Sequence, residues 1–138
     1  MKTNPSRSKY KKQQKGKSFN RINKSITFNR LNCGLLGLQA QEAGRITSKQ
    51  IESIQQTINK IIKKSGKIVI NAFPHTPITK KPLEIRMGKG KGNVDHWIFK
   101  IQPGFVLCEI ETNTLDLGVK ALMLAQLRLP FKTKLIFN

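Results

Sequence analysis

The sequence predicts one domain of the α+β class, with two helices and several short strands. Two segments carry apolar residues at helical spacing, and four others alternate apolar with polar residues as strands do. The length of 138 residues suits a single domain, because roughly 100–200 residues per domain is usual. A chain of this size can bury about two thirds of its unfolded surface, which is enough for a real core.

The clearest element is a helix over residues 48–64. Thr47 is the predicted N-cap, and Gln50 three residues later completes a capping box. Gly66 is a natural residue to follow the end of the helix. The apolar stripe of this helix consists of Ile51, Ile54, Ile58, Ile61 and Ile62.

A second helix is expected over residues 115–127, after a cap at Asn113 or Thr114. Pro130 cannot continue a helix and stops it. We expect this helix to turn one apolar face toward the core. That face consists of Leu115, Val119, Leu122, Met123 and Leu127.

Strands are predicted where apolar and polar residues alternate, namely at residues 67–73, 97–101, 105–110 and 134–137. A turn at Pro103 and Gly104 is expected to join the second and third of these as a hairpin. Weaker alternation predicts short strands at 26–29 and 83–87, and Gly37 interrupts the run that follows the first of them.

The charge of the chain limits its function. The 26 Lys and Arg outnumber the seven Asp and Glu and give a formal net charge of +19. Such a charge repels itself unless a polyanion neutralises it, which argues against an enzyme of neutral metabolites. The candidate partners are nucleic acid, an anionic membrane and an acidic protein. No apolar run approaches the roughly 18 residues that would span a bilayer.

Residues 1–24 are predicted to be a basic extension of a domain that occupies residues 25–138. The first acid of the chain is Glu42, and residues 1–24 contain almost no apolar side chains, so they cannot fold alone. One interpretation is an arm that orders against phosphates, and the other is a solvated tail or an organelle transit peptide. The cations expected to contact phosphates are Arg7, Lys9, Lys11, Lys12, Lys15, Lys17, Arg21 and Lys24.

Residues 74–96 are expected to form a long basic loop in which Gly and Lys alternate. Without Cβ atoms, the backbone amides and the ammonium groups can approach phosphates closely. The run fits neither a Walker loop nor a dinucleotide fingerprint, and a flexible turn is the alternative. Arg86 can bind phosphate bidentately or stack on a base, or it can pair with Glu84 at the surface. The predicted contacts are Lys80, Lys81, Arg86, Met87, Gly88, Lys89, Gly90, Lys91 and Gly92.

No metal site, cofactor or catalytic residue is predicted. Cys33, Cys108, His75 and His96 are scattered, without the spacing of metal ligands or of a disulfide scaffold. Asp95 next to His96 could serve acid–base chemistry, and a small RNA-processing enzyme is therefore a second hypothesis. A third is a cationic protein that coats any polyanion without specificity.

Several motifs resemble a known family. The run from Arg86 to Gly92 is fairly specific, and other motifs accompany it in order along nearly the whole chain. They are Lys9-Tyr10, Lys15-Gly16, Gly44-Arg45-Ile46-Thr47, Gln50-Ile51-Glu52, Pro77-Ile78-Thr79, Lys81-Pro82, Pro103-Gly104 and Leu129-Pro130-Phe131-Lys132-Thr133. This ordered set resembles the large-subunit ribosomal protein sixteen family of bacteria and organelles, whose archaeal and eukaryotic cytosolic counterpart is called ten-e.

The resemblance implies a hammerhead-type fold, with two helices packed on a mixed sheet. It implies a structural, non-catalytic constituent of the large ribosomal subunit near the peptidyl transferase centre, beside the A- and P-site tRNA acceptor arms. The basic extension and Arg45 would then contact large-subunit rRNA, and the glycine-lysine loop would face tRNA and rRNA. Neighbouring ribosomal proteins are expected partners, and neither a membrane nor a small-molecule substrate is. Asn71 stands where the family often has a base, so a phosphate contact there is expected to be lost.

The composition indicates a compartment. Ile, Asn and Lys are abundant and Arg and Ala are scarce, a skew typical of AT-rich organelle genomes. The resemblance begins near Pro5, so we expect the N-terminus to belong to the mature protein. The favoured location is the mitochondrial matrix, in the mitochondrial ribosome, with a plastid or a bacterial cytoplasm as alternatives.

Overall fold

The described part of the chain contains two helices and seven strands, and the strands form two antiparallel sheets. The computed structural model describes residue 5, residues 9–14 and residues 30–138. The elements are β1 (Leu36–Ala40), β2 (Gly44–Thr47), α1 (Ser48–Ile62), β3 (Gly66–Ile70), β4 (Thr76–Lys80), β5 (Asn93–Ile101), β6 (Val106–Thr112), α2 (Leu115–Gln126) and β7 (Thr133–Phe137). The α+β class is confirmed. Every strand pair of the described part is antiparallel, so two antiparallel sheets stand in place of one mixed sheet.

Helix α1 follows the sequence pattern closely. The backbone amide of Gln50 donates to Thr47 Oγ1 at 3.3 Å, and the backbone amide of Thr47 donates to the Gln50 side-chain oxygen Oε1 at 2.9 Å. These two bonds complete the predicted capping box. The isoleucine stripe turns inward as predicted: Ile51, Ile54, Ile58 and Ile62 are buried, and Ile61 packs against the same core. The helix is therefore stabilised both by its N-terminal cap and by packing of its isoleucine stripe against the core.

Helix α2 turns only part of the predicted face inward, since Leu122 is buried and Val119 packs against the core. Its buried residues are Gly118, Ala121, Leu122 and Ala125, whereas Leu115, Met123 and Leu127 are exposed. Thr114 is the N-cap residue, but its side chain makes no capping hydrogen bond within the described residues. Small residues on the buried face let the helix lie close to its neighbours. A methyl group at Gly118 would lie 2.4 Å from Leu36 Cδ1 on β1.

The four-stranded sheet has the order β3-β6-β1-β7 and packs its inner face on both helices. Leu36 and Leu38 of β1 face the helices beside Cys108 and Ile110 of β6, and all four are almost fully buried. Because side chains alternate along a strand, the next row faces away from the helices. That outer row consists of Val69, Glu109, Gly37 and Ile136.

The three-stranded sheet has the order β2-β5-β4 and supports the long loop. Strand β4 lies inside the stretch that was predicted to be irregular, and β5 begins at Asn93. The loop is therefore shorter than predicted and consists of residues 81–92. Pro77 fits in β4 because this strand lies at an edge of its sheet.

One strand prediction and one hairpin prediction are wrong, and one strand prediction lies outside the described residues. Residues 83–87 form no strand. The turn at Pro103 and Gly104 exists, but it carries the chain from one sheet to the other, so β5 and β6 are not a hairpin. The Gly104 amide donates to the Ala40 carbonyl at 2.8 Å, so this turn is fixed against the end of β1. The strand predicted at 26–29 is not among the described residues.

Candidate nucleic-acid interface

The long loop projects from a paired base. Lys80 at the end of β4 lies opposite Asn93 at the start of β5, so residues 81–92 leave and re-enter the sheet at one place. Leu83 and Met87 are 100% and 99% exposed, an unusual arrangement for large apolar side chains unless a partner covers them. The loop is therefore built outward from the domain rather than folded onto it.

The tip of the loop has a left-handed backbone. Gly88, Lys89 and Gly90 have φ values of 91°, 52° and 87°, a run of conformations that favours glycine. Of these three residues, only Lys89 has a Cβ atom, so the left-handed conformation is strained there. Lys89 places a cation at the tip of the loop. The Lys81 ammonium donates to the Gly88 carbonyl and closes the loop from inside.

The predicted loop contacts gather on this projection. The structure places them on one hairpin and almost all of them are exposed: Lys80, Lys81, Arg86, Met87, Gly88, Lys89, Gly90, Lys91 and Gly92. Within the described part of the chain, Arg86 forms no ion pair with Glu84, so the surface-pair interpretation of Arg86 is not supported. Its guanidinium is exposed and available for an anion.

The basic extension meets the same loop. Lys12 Nζ donates to the Lys91 carbonyl at 3.1 Å, and Lys91 Nζ donates in return to the Gln13 carbonyl. Lys9 and Lys11 are exposed beside them. The predicted contacts Arg7, Lys15, Lys17, Arg21 and Lys24 lie outside the described residues. The described parts of the extension and the loop therefore form one continuous cationic surface.

Arg45 lies elsewhere, on the three-stranded sheet. It is exposed on β2 directly opposite Lys100 of β5. Like charges directly opposite on neighbouring strands destabilise a sheet unless something offsets their repulsion. Sequence reasoning missed Lys100, because β2 was not predicted and the pairing could not be seen. The alternation of Phe99 and Lys100 in a predicted strand was the available signal.

Asp95 and His96 form a hydrogen-bonded pair near the start of β5. His96 Nδ1 and Asp95 Oδ2 are 2.8 Å apart, and both side chains are about half exposed. The hydrogen bond from His96 holds the pKa of Asp95 below its usual value. Lys80 and Lys49 also act on Asp95 through their charge. No group of three potential metal ligands occurs among the described residues.

Asn71 and Glu109 form a polar site that the sequence did not predict. Asn71 Nδ2 donates to Glu109 Oε1 at 3.0 Å and to the Val106 carbonyl at 3.3 Å. The side chain at position 71 therefore points into the domain rather than toward an external phosphate. An acid within the apolar run of β6 was the signal that could have been noticed.

The surface charge is largely unneutralised by the protein itself. Glu42 pairs with Lys132 and Asp95 is hydrogen-bonded to His96, and neither contact lies at the crossing of the extension and the loop. No helix in the described part is long and apolar enough to cross a membrane. These features define a class of protein. It is a small α+β protein in which a projecting hairpin and a basic N-terminal segment together form a cationic surface.

Comparison with known proteins identifies the family. The profile of the family described as ribosomal protein L16p/L10e matches residues 5–136. Large ribosomal subunit protein uL16 of Acinetobacter baylyi is 45% identical over 132 residues, which cover 96% of this chain and 94% of that protein. The protein of the same name in Alkalilimnicola ehrlichii is 46% identical over the same coverage. The chain belongs to the ribosomal protein L16p/L10e family, and the resemblance read from the sequence is confirmed.

Proposed function

We propose that this chain is a structural constituent of the large ribosomal subunit. Its relatives carry that name, and their alignment covers nearly the whole chain. In this proposal, residues 1–24 are an rRNA-binding extension of a single domain over residues 25–138, and Arg45 adds a further rRNA contact. Neighbouring large-subunit proteins are further partners.

The finer proposal is that the loop helps to position the A- and P-site tRNA acceptor arms near the peptidyl transferase centre. The observation that carries it is the crossing of Lys12 with Lys91, which unites the extension and the loop into one surface. A phosphate backbone passing over this surface would be neutralised by both segments at once. Because Lys and Arg release counterions when they bind phosphates, we expect affinity to fall steeply with salt.

Sedimentation tests the proposal. A tagged chain in its native cells should migrate with large-subunit rRNA in a sucrose gradient at one copy per subunit, and RNase should abolish the co-migration. Heterogeneous complexes with any polyanion would support the coating hypothesis instead. Turnover of RNA that His96→Ala abolishes would support the enzymatic hypothesis.

Arg86 provides the test of the tRNA proposal. Arg86→Ala should lower peptide-bond formation per assembled subunit more than it lowers assembly. Arg128→Ala is the matched control, since Arg128 is also an exposed arginine but lies beyond the end of α2. Equal activity per subunit in the Arg86→Ala variant and in wild type would contradict a tRNA role.

The compartment is a separate proposal. The relatives named above are bacterial and agree with a ribosome of bacterial type. The amino-acid composition, rich in Ile, Asn and Lys, supports the mitochondrial matrix, and a plastid or a bacterial cytoplasm are the alternatives. Fractionation of the native cells with markers of each compartment decides between them.

A further inference from the structure

Glu109 is an acid in an unusual place. It lies in the middle of β6, between Gly37 of β1 and Val69 of β3, on the sheet face that turns away from the helices. An outer face normally leaves a carboxylate in water, yet Glu109 is only 1% exposed. Residues 32–34 lie against it. We call residues 30–34, the described segment that leads toward β1, the root of the arm.

Backbone amides of the root surround the carboxylate. Glu109 Oε2 accepts hydrogen bonds from the amides of Asn32, Cys33 and Gly34 at 2.9, 2.8 and 3.1 Å. Glu109 Oε1 accepts from Asn71 Nδ2 at 3.0 Å. Successive amides that converge on an anion form a nest, and hydrogen bonds to an ionised acceptor are stronger than neutral ones.

The root has a second contact on the same face. A methyl group at Gly37 would lie 2.3 Å from Leu31 Cδ2, so the Leu31 side chain occupies the space that the glycine leaves on the sheet. Leu31 and the three amides of residues 32–34 together fix the position and the direction of the root. A buried lone charge is costly unless it is hydrogen-bonded, and here every bond that satisfies it comes from the root or from Asn71.

The protonation state agrees with this arrangement. Burial raises the pKa of Glu109, but the hydrogen bonds from Cys33, Asn71, Asn32 and Gly34 outweigh it and leave the pKa below its ordinary value. The carboxylate is therefore ionised at neutral pH, as a nest of amides requires. The described residues place no lysine, arginine or histidine in an ion pair with it.

We propose that Glu109 is a positioning residue that anchors the root of the arm and so determines where the arm leaves the domain toward rRNA. This inference rests on the proposed function, because it assumes that the arm binds rRNA. An apolar residue at position 109 could not accept hydrogen bonds from three amides of a segment that has no helix or strand of its own. The carboxylate thus serves the arm rather than the core.

The first experiment measures amide hydrogen exchange in the full chain. Glu109→Gln keeps the shape of the side chain and removes the charge, and Glu111→Gln makes the same change on the exposed face two residues away. We expect the amides of residues 32–34 to exchange at least about tenfold faster in Glu109→Gln, since each lost bond went to a charged acceptor. Glu111→Gln should leave them unchanged. Equal exchange in both variants would overturn the proposal.

The second experiment measures affinity for deproteinised large-subunit rRNA over a range of salt concentrations. Loss of an acid raises the net charge, so charge alone predicts tighter binding for both variants. Positioning predicts instead that Glu109→Gln binds severalfold more weakly than Glu111→Gln, with a smaller salt dependence because fewer phosphates are neutralised. When Lys9, Lys11 and Lys12 are all changed to Gln, the difference between the two variants should shrink. A difference that persists in that background would show a general loss of structure and would overturn the anchor.

The two proposals fail in different ways. If Glu109→Gln does not fold, the wild-type chain decides: amides of residues 32–34 that exchange as fast as those of the loop at 81–92 would overturn the anchor. A wild-type chain that shows no preference for large-subunit rRNA would overturn the proposed function and, with it, the role of the anchor in rRNA binding. Protected amides would still establish the nest in that case.

Discussion

Alanine at Gly88 and Gly90 tests whether the backbone conformation of the loop tip matters for binding. The two glycines have φ values of 91° and 87°, and among the described residues nothing lies within 4 Å of the place that a Cβ would take. A methyl group there therefore meets no neighbour and acts through backbone preference alone. The left-handed conformation costs an L-residue roughly 1–2 kcal/mol. Each substitution should lower the population of the binding conformation by about five- to thirtyfold at this cost.

The assay is affinity for large-subunit rRNA measured against salt concentration. A smaller competent population lowers the apparent affinity by the same factor at every salt concentration. Gly88→Ala and Gly90→Ala should therefore shift the salt plot downward without changing its slope. The melting temperature should stay unchanged, because the loop is exposed and lies outside the core.

Lys89→Gly is the matched control at the same tip. Lys89 has a φ of 52°, which glycine adopts without strain, so this variant keeps the conformation and removes one cation. We expect a smaller slope in the salt plot instead of a parallel shift. Unchanged affinity in both alanine variants, or a change of slope that matches Lys89→Gly, would refute the conformational argument.

Four further predictions concern stability and reactivity. Ile58→Ala should lower the free energy of unfolding by about 2–5 kcal/mol in urea titrations, because Ile58 is fully buried. Thr47→Ala should cost about 1 kcal/mol through the lost cap, whereas Thr114→Ala should cost little, since its side chain makes no capping bond within the described residues. Because the pKa of Glu109 is lowered from its ordinary value of 4.5, its contribution to stability is present above that value and is lost as pH falls through the folded value. The acid limb of melting temperature against pH should therefore be flatter in Glu109→Gln than in wild type. Burial raises the pKa of Cys108 to about 12, so a thiol reagent at pH 8 should modify Cys33 alone in the native chain.

Local signals predicted the helices better than the sheets. The capping box of Thr47 and Gln50 and the isoleucine stripe of α1 are complete within one short segment, and both are observed. Helix α2 is rich in leucine on several sides, so spacing alone could not select its buried face. The fit between elements distinguishes the faces, since Gly118 lies against Leu36 and a side chain at position 118 would require Leu36 to shift.

The missed strands depend on partners far along the chain. Gly37 looked like an interruption, yet it belongs to β1, because Leu31 occupies the space above it and β6 pairs beside it. Pro77 lies in β4, and the edge position of that strand tolerates a proline. Neither reason can be read from neighbouring residues, since each depends on which strand lies next to which.

The loop was predictable and its junction with the arm was not. The alternation of Gly and Lys predicted, from residue types alone, a segment that can approach phosphates closely. The contact of Lys12 with Lys91 joins residues 79 positions apart in sequence, and each ammonium donates to a backbone carbonyl of the other segment. No pattern in either segment encodes that meeting.

The crossing of the arm and the loop brings together charges that repel each other. Lys12 and Lys91 each contact the other segment, and Lys9, Lys11 and Lys89 lie within three residues of them in sequence. Backbone carbonyls satisfy two of these ammonium groups but carry no net charge, so the repulsion persists in the protein alone. A polyanion that lies over the crossing lowers the repulsion for both segments at once. Binding through the arm should therefore favour binding through the loop, and the two segments should act as one site even though Glu109 anchors only one of them.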